Sequence, residues 1–329
     1  MNVFYFSSNL FVSVLATSIV SLLENNQSFD EINIFVGDDG ITQENKNKLS
    51  QLVFLYKRNI VYIPLPSPSE LFDFPFVDRY QIGHSYPRMA VDKLLPEEVD
   101  RVLCLDSDTL ILNNLSELWN IDLCGNIMAG VADCINLKAY KKQFNLVNQN
   151  EFYCNAGVFL IDLKKWRYNH LNDEIKQRIK KNNGNIFFFE QTLMNYVCRG
   201  RILKLHPKYN TYTALYAFEY ENLLKWRQPT VFYSKKEIEE AKKSSYIIHF
   251  TRNFYMLSRP WVQGCDHPMT NVYVNYKKKT PWPSVEEDNR TFKQKIKYAL
   301  WHILPPTFLC MCANVLYNYV RPKMWWRNE

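Results

Sequence analysis

Two carboxylates one residue apart, Asp106 and Asp108, close the run Arg101-Val102-Leu103-Cys104-Leu105-Asp106-Ser107-Asp108. The residues before them are mostly apolar and read as a strand. Its alternating side chains put Asp106 and Asp108 on one side of the carboxyl end, where open α/β sheets place their ligands. Paired carboxylates repel and are costly to desolvate unless a cation lies between them. Hard oxygen ligands favour Mg²⁺ or Mn²⁺, ions that also neutralise a diphosphate. Asp-x-Asp is equally common in solvated turns, so the pair taken alone is also consistent with a plain surface loop.

The elements needed to hold such a site alternate in the α/β manner. Strands are expected at residues 2–6, 32–36 and 59–63, with helices at 12–23 and 42–54 between them. A Pro-rich loop over 64–75 precedes a helix from Pro87 through Arg88 to Leu95, which leads into the Asp106 strand. Further strands are expected at 127–132, 157–161 and 246–250, and helices at 171–181 and 190–198. The chain has only nine glycines and no Gly-x-Gly-x-x-Gly, which excludes a glycine-rich phosphate cradle. A metal would have to take over that task.

With 329 residues, 47% hydrophobic and 15% aromatic, the chain can bury a large core. Its eight cysteines show no Cys-x-x-Cys pair or zinc spacing and read as reduced thiols. The first basic residue is Lys46, so the apolar stretch 11–23 lacks the positive flank of a secretory signal. A cytoplasmic location is expected. The net charge of +7 sits mainly at the end: residues 290–329 carry seven Lys and Arg against Glu329 alone.

The Asp106-Ser107-Asp108 run has company. Together with Arg88-Met89-Ala90, Tyr153-Cys154-Asn155-Ala156-Gly157-Val158, Lys164-Lys165-Trp166-Arg167, Glu190-Gln191 and His249-Phe250-Thr251, it resembles glycosyltransferase family 8 over roughly residues 1–268. The resemblance implies an α/β GT-A fold, a Rossmann-like mixed sheet flanked by helices. It also implies anomer-retaining transfer of galactose or glucose from a UDP-sugar. By the same resemblance Asp106, Asp108 and His249 would ligate Mn²⁺ (or Mg²⁺), and Arg88, Ser107, Asp133, Asn155, Ala156 and Gln191 would line the donor site. A lone histidine after an apolar run is otherwise a core residue bonded to backbone, and an arginine such as Arg88 a surface ion pair. Glu190-Gln191 stands where the family has Asp-Gln beside the anomeric carbon. Gln191 is a poor nucleophile, so front-face transfer is expected, with Gln191 or Glu190 as catalytic residues stabilising an oxocarbenium-like centre.

Two departures from the family pattern bear on the donor. The first strand ends in Ser7-Ser8-Asn9-Leu10-Phe11 instead of an Asp-rich stretch and Tyr; Phe11 is left to stack on the base and Ser8 or Asn9 to bond it. Near residue 259 a longer loop leads to Arg259-Pro260-Trp261, with Arg259 in place of a diphosphate-binding lysine.

The expected domain is 1–280, followed by a tail at 281–329. In the tail Phe292, Ile296, Ala299, Leu300 and Ile303 share one helical face, Pro305-Pro306 breaks the helix, and basic residues with Trp325-Trp326 finish the chain. This composition suits an interfacial helix on anionic lipid; packing on the domain is the alternative. No basic groove for nucleic acid accompanies it. The leading expectation is a transferase at the inner face of the membrane, acting on a lipopolysaccharide, capsule or similar surface glycan. A metal phosphohydrolase and a non-catalytic sugar-nucleotide-binding protein are the alternatives.

Overall fold

The computed structural model describes residues 1–76, 86–140 and 152–326. In the tail, residues 327–329, which include Glu329, lie outside the described residues, as do the side chains of Lys297, Trp325 and Trp326.

Seven strands form the central sheet in the order β3-β2-β1-β4-β7-β6-β8. They are β1 (Asn2–Ser8), β2 (Asn33–Asp39), β3 (Asn59–Pro64), β4 (Arg101–Leu105), β6 (Met128–Ala132), β7 (Cys154–Asp162) and β8 (Ile202–Lys204). Strands β1 to β4 are mutually parallel neighbours, whereas β7 runs antiparallel to both β4 and β6. Such a mixed sheet is the expected Rossmann-like arrangement.

Side-chain alternation assigns each strand to two apolar layers. Val3, Tyr5, Leu103, Leu105, Val158 and Leu160 pack under α1 (Val12–Asn25), while Phe4, Val102, Cys104, Phe159 and Ile161 pack against Trp166, Ile175, Ile179, Leu193 and Met194. Four of the five β4 side chains are buried, as both-face coverage of a central strand requires. Each such side chain contributes about 1.5–3 kcal/mol through its removal from water. The second layer includes α3 (Leu171–Lys181) and α4 (Phe189–Val197); α2 (Gln43–Leu55), started by the Thr42 side chain, flanks the other half.

Three elements differ from the sequence reading. The helix expected from Pro87 to Leu95 is a 3₁₀ turn, Tyr86–Ala90, followed by a single α-turn, Val91–Leu94. Leu95 is extended because Pro96 follows it and disfavours helical backbone there. The strand expected at 157–161 begins earlier, so that Asn155-Ala156-Gly157 lies inside β7 opposite a register shift in β6 between Gly130 and Ala132. A separate small sheet, β5-β10-β9, was not anticipated; it joins β5 (Thr109–Ile111), β10 (Ile247–His249) and β9 (Thr211–Tyr212).

The tail forms helices α6 (Phe292–Ile303) and α7 (Pro306–Val315), after α5 (Thr270–Lys277), and continues through a π-turn into Arg321–Trp326. One face of α7 is docked: Leu309, Cys310 and Ala313 are buried, and the Asn314 and Asn318 amides both donate to the Trp226 carbonyl, at 3.0 and 3.1 Å. Helix α6 rests on the 252–266 loop through Trp301 against Phe254 and His302 stacked on Tyr255. The face of α6 that carries Phe292, Leu300 and Ile303 points outward, and Phe308, Met311 and Val315 of α7 are exposed too. Among the described residues no single helix is long and apolar enough to cross a membrane, and the pair that reaches that length is bent by 116°.

Candidate active site

Strand β4 ends at Leu105, and the chain turns at once. The Asp106 N–H donates to the Gly157 carbonyl at 2.9 Å, while Thr109 closes the turn by donating from its N–H and hydroxyl to the Asp106 carbonyl, at 3.2 and 2.7 Å. The turn feeds Asp108 into β5. Because β10 pairs antiparallel with β5 and sets His249 opposite Thr109, a histidine 141 positions further along the chain meets both carboxylates. Its Nε2 lies 3.1 Å from Asp106 Oδ2 and 3.3 Å from Asp108 Oδ1.

The ring is held from behind. Asn155 Oδ1 receives the Gly157 N–H at 3.0 Å and the Asn210 amide at 2.9 Å, and lies 3.2 Å from His249 Nδ1. A carbonyl oxygen can only accept, so Nδ1 carries a proton and Nε2 is left as the ligand atom of a neutral imidazole. Gly157 is required on steric grounds: a Cβ there would sit 2.1 Å from His249 Nδ1.

One atom each from Asp106, Asp108 and His249 converge within 4.8 Å of one another. Two carboxylate oxygens and one imidazole nitrogen suit a divalent ion such as Mn²⁺ or Mg²⁺ and leave coordination positions for phosphate oxygens. Electrostatics agree. Burial works against a charged His249, yet Asp108 and Asp106 outweigh it and raise its pKa to about 10. Without a metal, the imidazolium supplies the positive charge that the two carboxylates require. Burial likewise opposes ionisation of Asp106, but Arg88 and then His249 prevail and hold its carboxyl below the usual range.

Arg88 is only 1% exposed. Its guanidinium bonds Asp106 Oδ1 and the Ala156 carbonyl, pairs through Nε with Glu190 Oε1 at 2.9 Å, and lies 5.2 Å from the centre of the Phe6 ring. This is a buried network, in place of the surface ion pair considered as the alternative. Glu190 is buried with it, 4% exposed, facing Arg88 from α4. One helical residue on, Gln191 accepts from the Ala156 N–H at 3.0 Å and donates to Asp133 Oδ2 at 3.0 Å, with the Asn155 amide 3.5 Å from the same oxygen. Asp133, Asn155, Ala156 and Gln191 therefore form one cluster beside the metal ligands.

In front of the carboxylates lies a pocket of about 240 Å³ lined by Phe6, Ser7, Ser8, Phe11, Asp106, Ser107 and Asp108. Ser107 is fixed by donating to the Phe6 carbonyl at 2.6 Å, and Phe11 meets Trp261 edge-on at 6.0 Å. Asn9 is turned away, its side-chain oxygen accepting from the Thr42 N–H and the Asn45 amide at the start of α2. Arg259 lines a neighbouring groove of about 500 Å³ with Arg252, and its side chain lies over Trp261 at 5.8 Å.

The family model for glycosyl transferase family 8 matches residues 2–263. The chain belongs to that family. Among curated proteins it is similar to general stress protein A of Bacillus subtilis (23% identity; 82% of this chain, 91% of that protein). It is also similar to the lipopolysaccharide 1,2-glucosyltransferase of Escherichia coli (28%; 65% and 61%). Among solved structures, the galactosyltransferase LgtC with donor and acceptor sugar analogs superposes with a TM-score of 0.70 at 20% identity, over 90% of this chain and all of that one. The fold is thus GT-A, and the protein is a glycosyltransferase.

Within this family member the sequence reading missed Asn210, Phe6 and Ser7. Asn210 is fully buried and orients Asn155 from 55 positions away, a pairing that no local motif signals. Phe6 and Ser7 are the pocket-facing end of β1, legible only once that strand's end is known to face Asp106.

Proposed function

We propose that this glycosyltransferase takes galactose or glucose from a UDP-sugar, with Mn²⁺ or Mg²⁺ held by Asp106, Asp108 and His249. Transfer retains anomeric configuration, and the acceptor is a saccharide of a membrane-anchored surface glycan. The observation that carries this reading is the convergence of those three side chains beside the Phe6–Phe11 pocket. When bound, the ion neutralises the diphosphate as it leaves. Phe11 offers a face to the base, Ser8 a hydroxyl, and Arg259 a cation on the groove side. Asp133 and Gln191, locked to each other, present a carboxylate and an amide to the hexose and to charge that develops at its anomeric carbon. Glu190 stands one residue away, behind Arg88.

The outward apolar face of α6 and α7, in a tail rich in Lys and Arg, supports peripheral binding to an anionic membrane surface at the cytoplasmic face. The name of the lipopolysaccharide glucosyltransferase relative supports the acceptor class. Titration of UDP with and without Mn²⁺, followed by a panel of UDP-hexoses in turnover assays, tests the reading. Metal-dependent UDP binding that Asp108→Ala abolishes is expected; unchanged UDP affinity in that variant refutes the site.

A further inference from the structure

The Asp106 carboxylate has two oxygens with different neighbours. Oδ1 is bonded by the Arg88 guanidinium, and Oδ2 faces His249 Nε2. A carboxylate whose first oxygen is occupied by a fixed donor can offer a metal only the second, so Asp106 is set up as a one-oxygen ligand. What fixes the donor is on the page as well. Arg88 is threaded between Asp106, the Ala156 carbonyl and Glu190, with its Cζ over the Phe6 ring at 5.2 Å. Ala156 in turn bonds Gln191, the residue next to Glu190 on α4.

We propose that Glu190 is a positioning residue that acts on the metal through Arg88 and Asp106, in place of acting directly at the anomeric carbon. Two physical effects run through this chain of contacts. Glu190 anchors Nε of the guanidinium and so orients the fork that grips Asp106 Oδ1. It also offsets the Arg88 charge, which otherwise draws electron density from Asp106 and repels a divalent ion one side chain away. Glu190 is buried, 4% exposed, with Oε1 turned to the Arg88 guanidinium.

The inference rests on the metal-dependent reading of the site, and the test separates the two. Mn²⁺ is titrated by electron paramagnetic resonance into the metal-free full-length protein, without donor, for wild type, Glu190→Gln and Glu190→Asp, with thermal unfolding as a control. Loss of an outer partner of a metal ligand weakens affinity by about 10–100-fold. The expected result is a Kd for Mn²⁺ raised about tenfold in Glu190→Gln, while Glu190→Asp, which keeps the charge beside Arg88, stays within about threefold of wild type. Fully folded Glu190→Gln with wild-type Mn²⁺ affinity overturns the inference and leaves the metal site standing. No Mn²⁺ binding to wild type overturns both. Should Glu190→Gln prove unstable, Glu190→Ala titrated in the same way decides: a Kd raised about tenfold or more supports the proposal, and wild-type Mn²⁺ affinity in the folded variant overturns it.

Discussion

Gly157→Ala is the sharpest perturbation of the metal-binding geometry. A Cβ at this position would lie 2.1 Å from His249 Nδ1 and 2.2 Å from Cε1, whereas ordinary contacts begin at 3.4 Å. The imidazole must therefore retreat by about 1.3 Å, and it cannot do so cheaply: it is 5% exposed, and its Nε2 edge already lies against Asp106 and Asp108 at 3.1 and 3.3 Å. Metal ligands tolerate displacements of only about 0.2 Å, so the shift takes Nε2 out of the coordination sphere. Overpacking of this kind costs about 1–3 kcal/mol, which a chain of this size survives. Gly157 does not occupy left-handed backbone, so alanine brings no conformational penalty of its own and acts only through the ring. The expectation is a folded protein with a modestly lowered Tm and Mn²⁺ affinity reduced by about 100-fold, measured by calorimetric titration without donor. Wild-type Mn²⁺ affinity in Gly157→Ala would show that His249 is not a ligand, and the reasoning would fail.

Other outcomes follow from the same geometry. His249 is raised from 6.5 to about 10 in the metal-free state, so its charge stabilises that state fully below pH 6.5 and the contribution is lost as pH rises through about 10. Because the metal needs the neutral ring, apparent Mn²⁺ affinity should climb about tenfold per pH unit across that window, with close to one proton released on binding; titration in buffers of different ionisation heat measures the proton count, and a value near zero at pH 7.5 contradicts the scheme. Replacing Phe292, Ile303 and Phe308, all more than half exposed, with Ser should release the protein from anionic vesicles in a flotation assay while Tm stays within a few degrees; undiminished flotation would locate the membrane contact elsewhere. Deleting 290–329 is a poorer test, since it also strips Asn314 and Asn318 from the Trp226 carbonyl.

The parts of this structure that were legible in the sequence share one property: their signal is local. The β4 run announces itself by five successive strand residues and two carboxylates, and α3 was placed at its observed bounds by its apolar period. The 87–95 segment was misread because helix-forming residues outweighed the veto that Pro96 places on Leu95. Asn155-Ala156-Gly157 has turn composition but strand conformation, since β7 must reach Asp106 and Gly157 must leave room for His249. The β5–β10 pairing was invisible for another reason. The strand expected at 246–250 contains β10, but the three residues of β5 carry too little periodicity to register, and the two strands lie more than 130 positions apart. His249 was nevertheless identified, through the family resemblance of its motif, while its role as the third corner of a cation site depends on that unpredictable pairing.

A count of charges at the β4 end shows why the arrangement calls for a divalent ion. Asp106, Asp108 and Glu190 contribute three negative charges, Arg88 one positive, and a neutral His249 none. The balance of two negative charges in a largely buried setting is costly unless a cation offsets it. Protonating His249 offsets half, which is why its pKa climbs so far in the metal-free state. A divalent ion offsets all of it, and does so with the imidazole neutral and Nε2 free to ligate. The same count explains the third carboxylate. Without Glu190 the residual charge falls to one negative, and a divalent ion would gain less from entering a site already half neutralised by Arg88. Glu190 thus keeps the site anionic while Arg88 keeps it ordered, a division of labour that neither residue could perform alone.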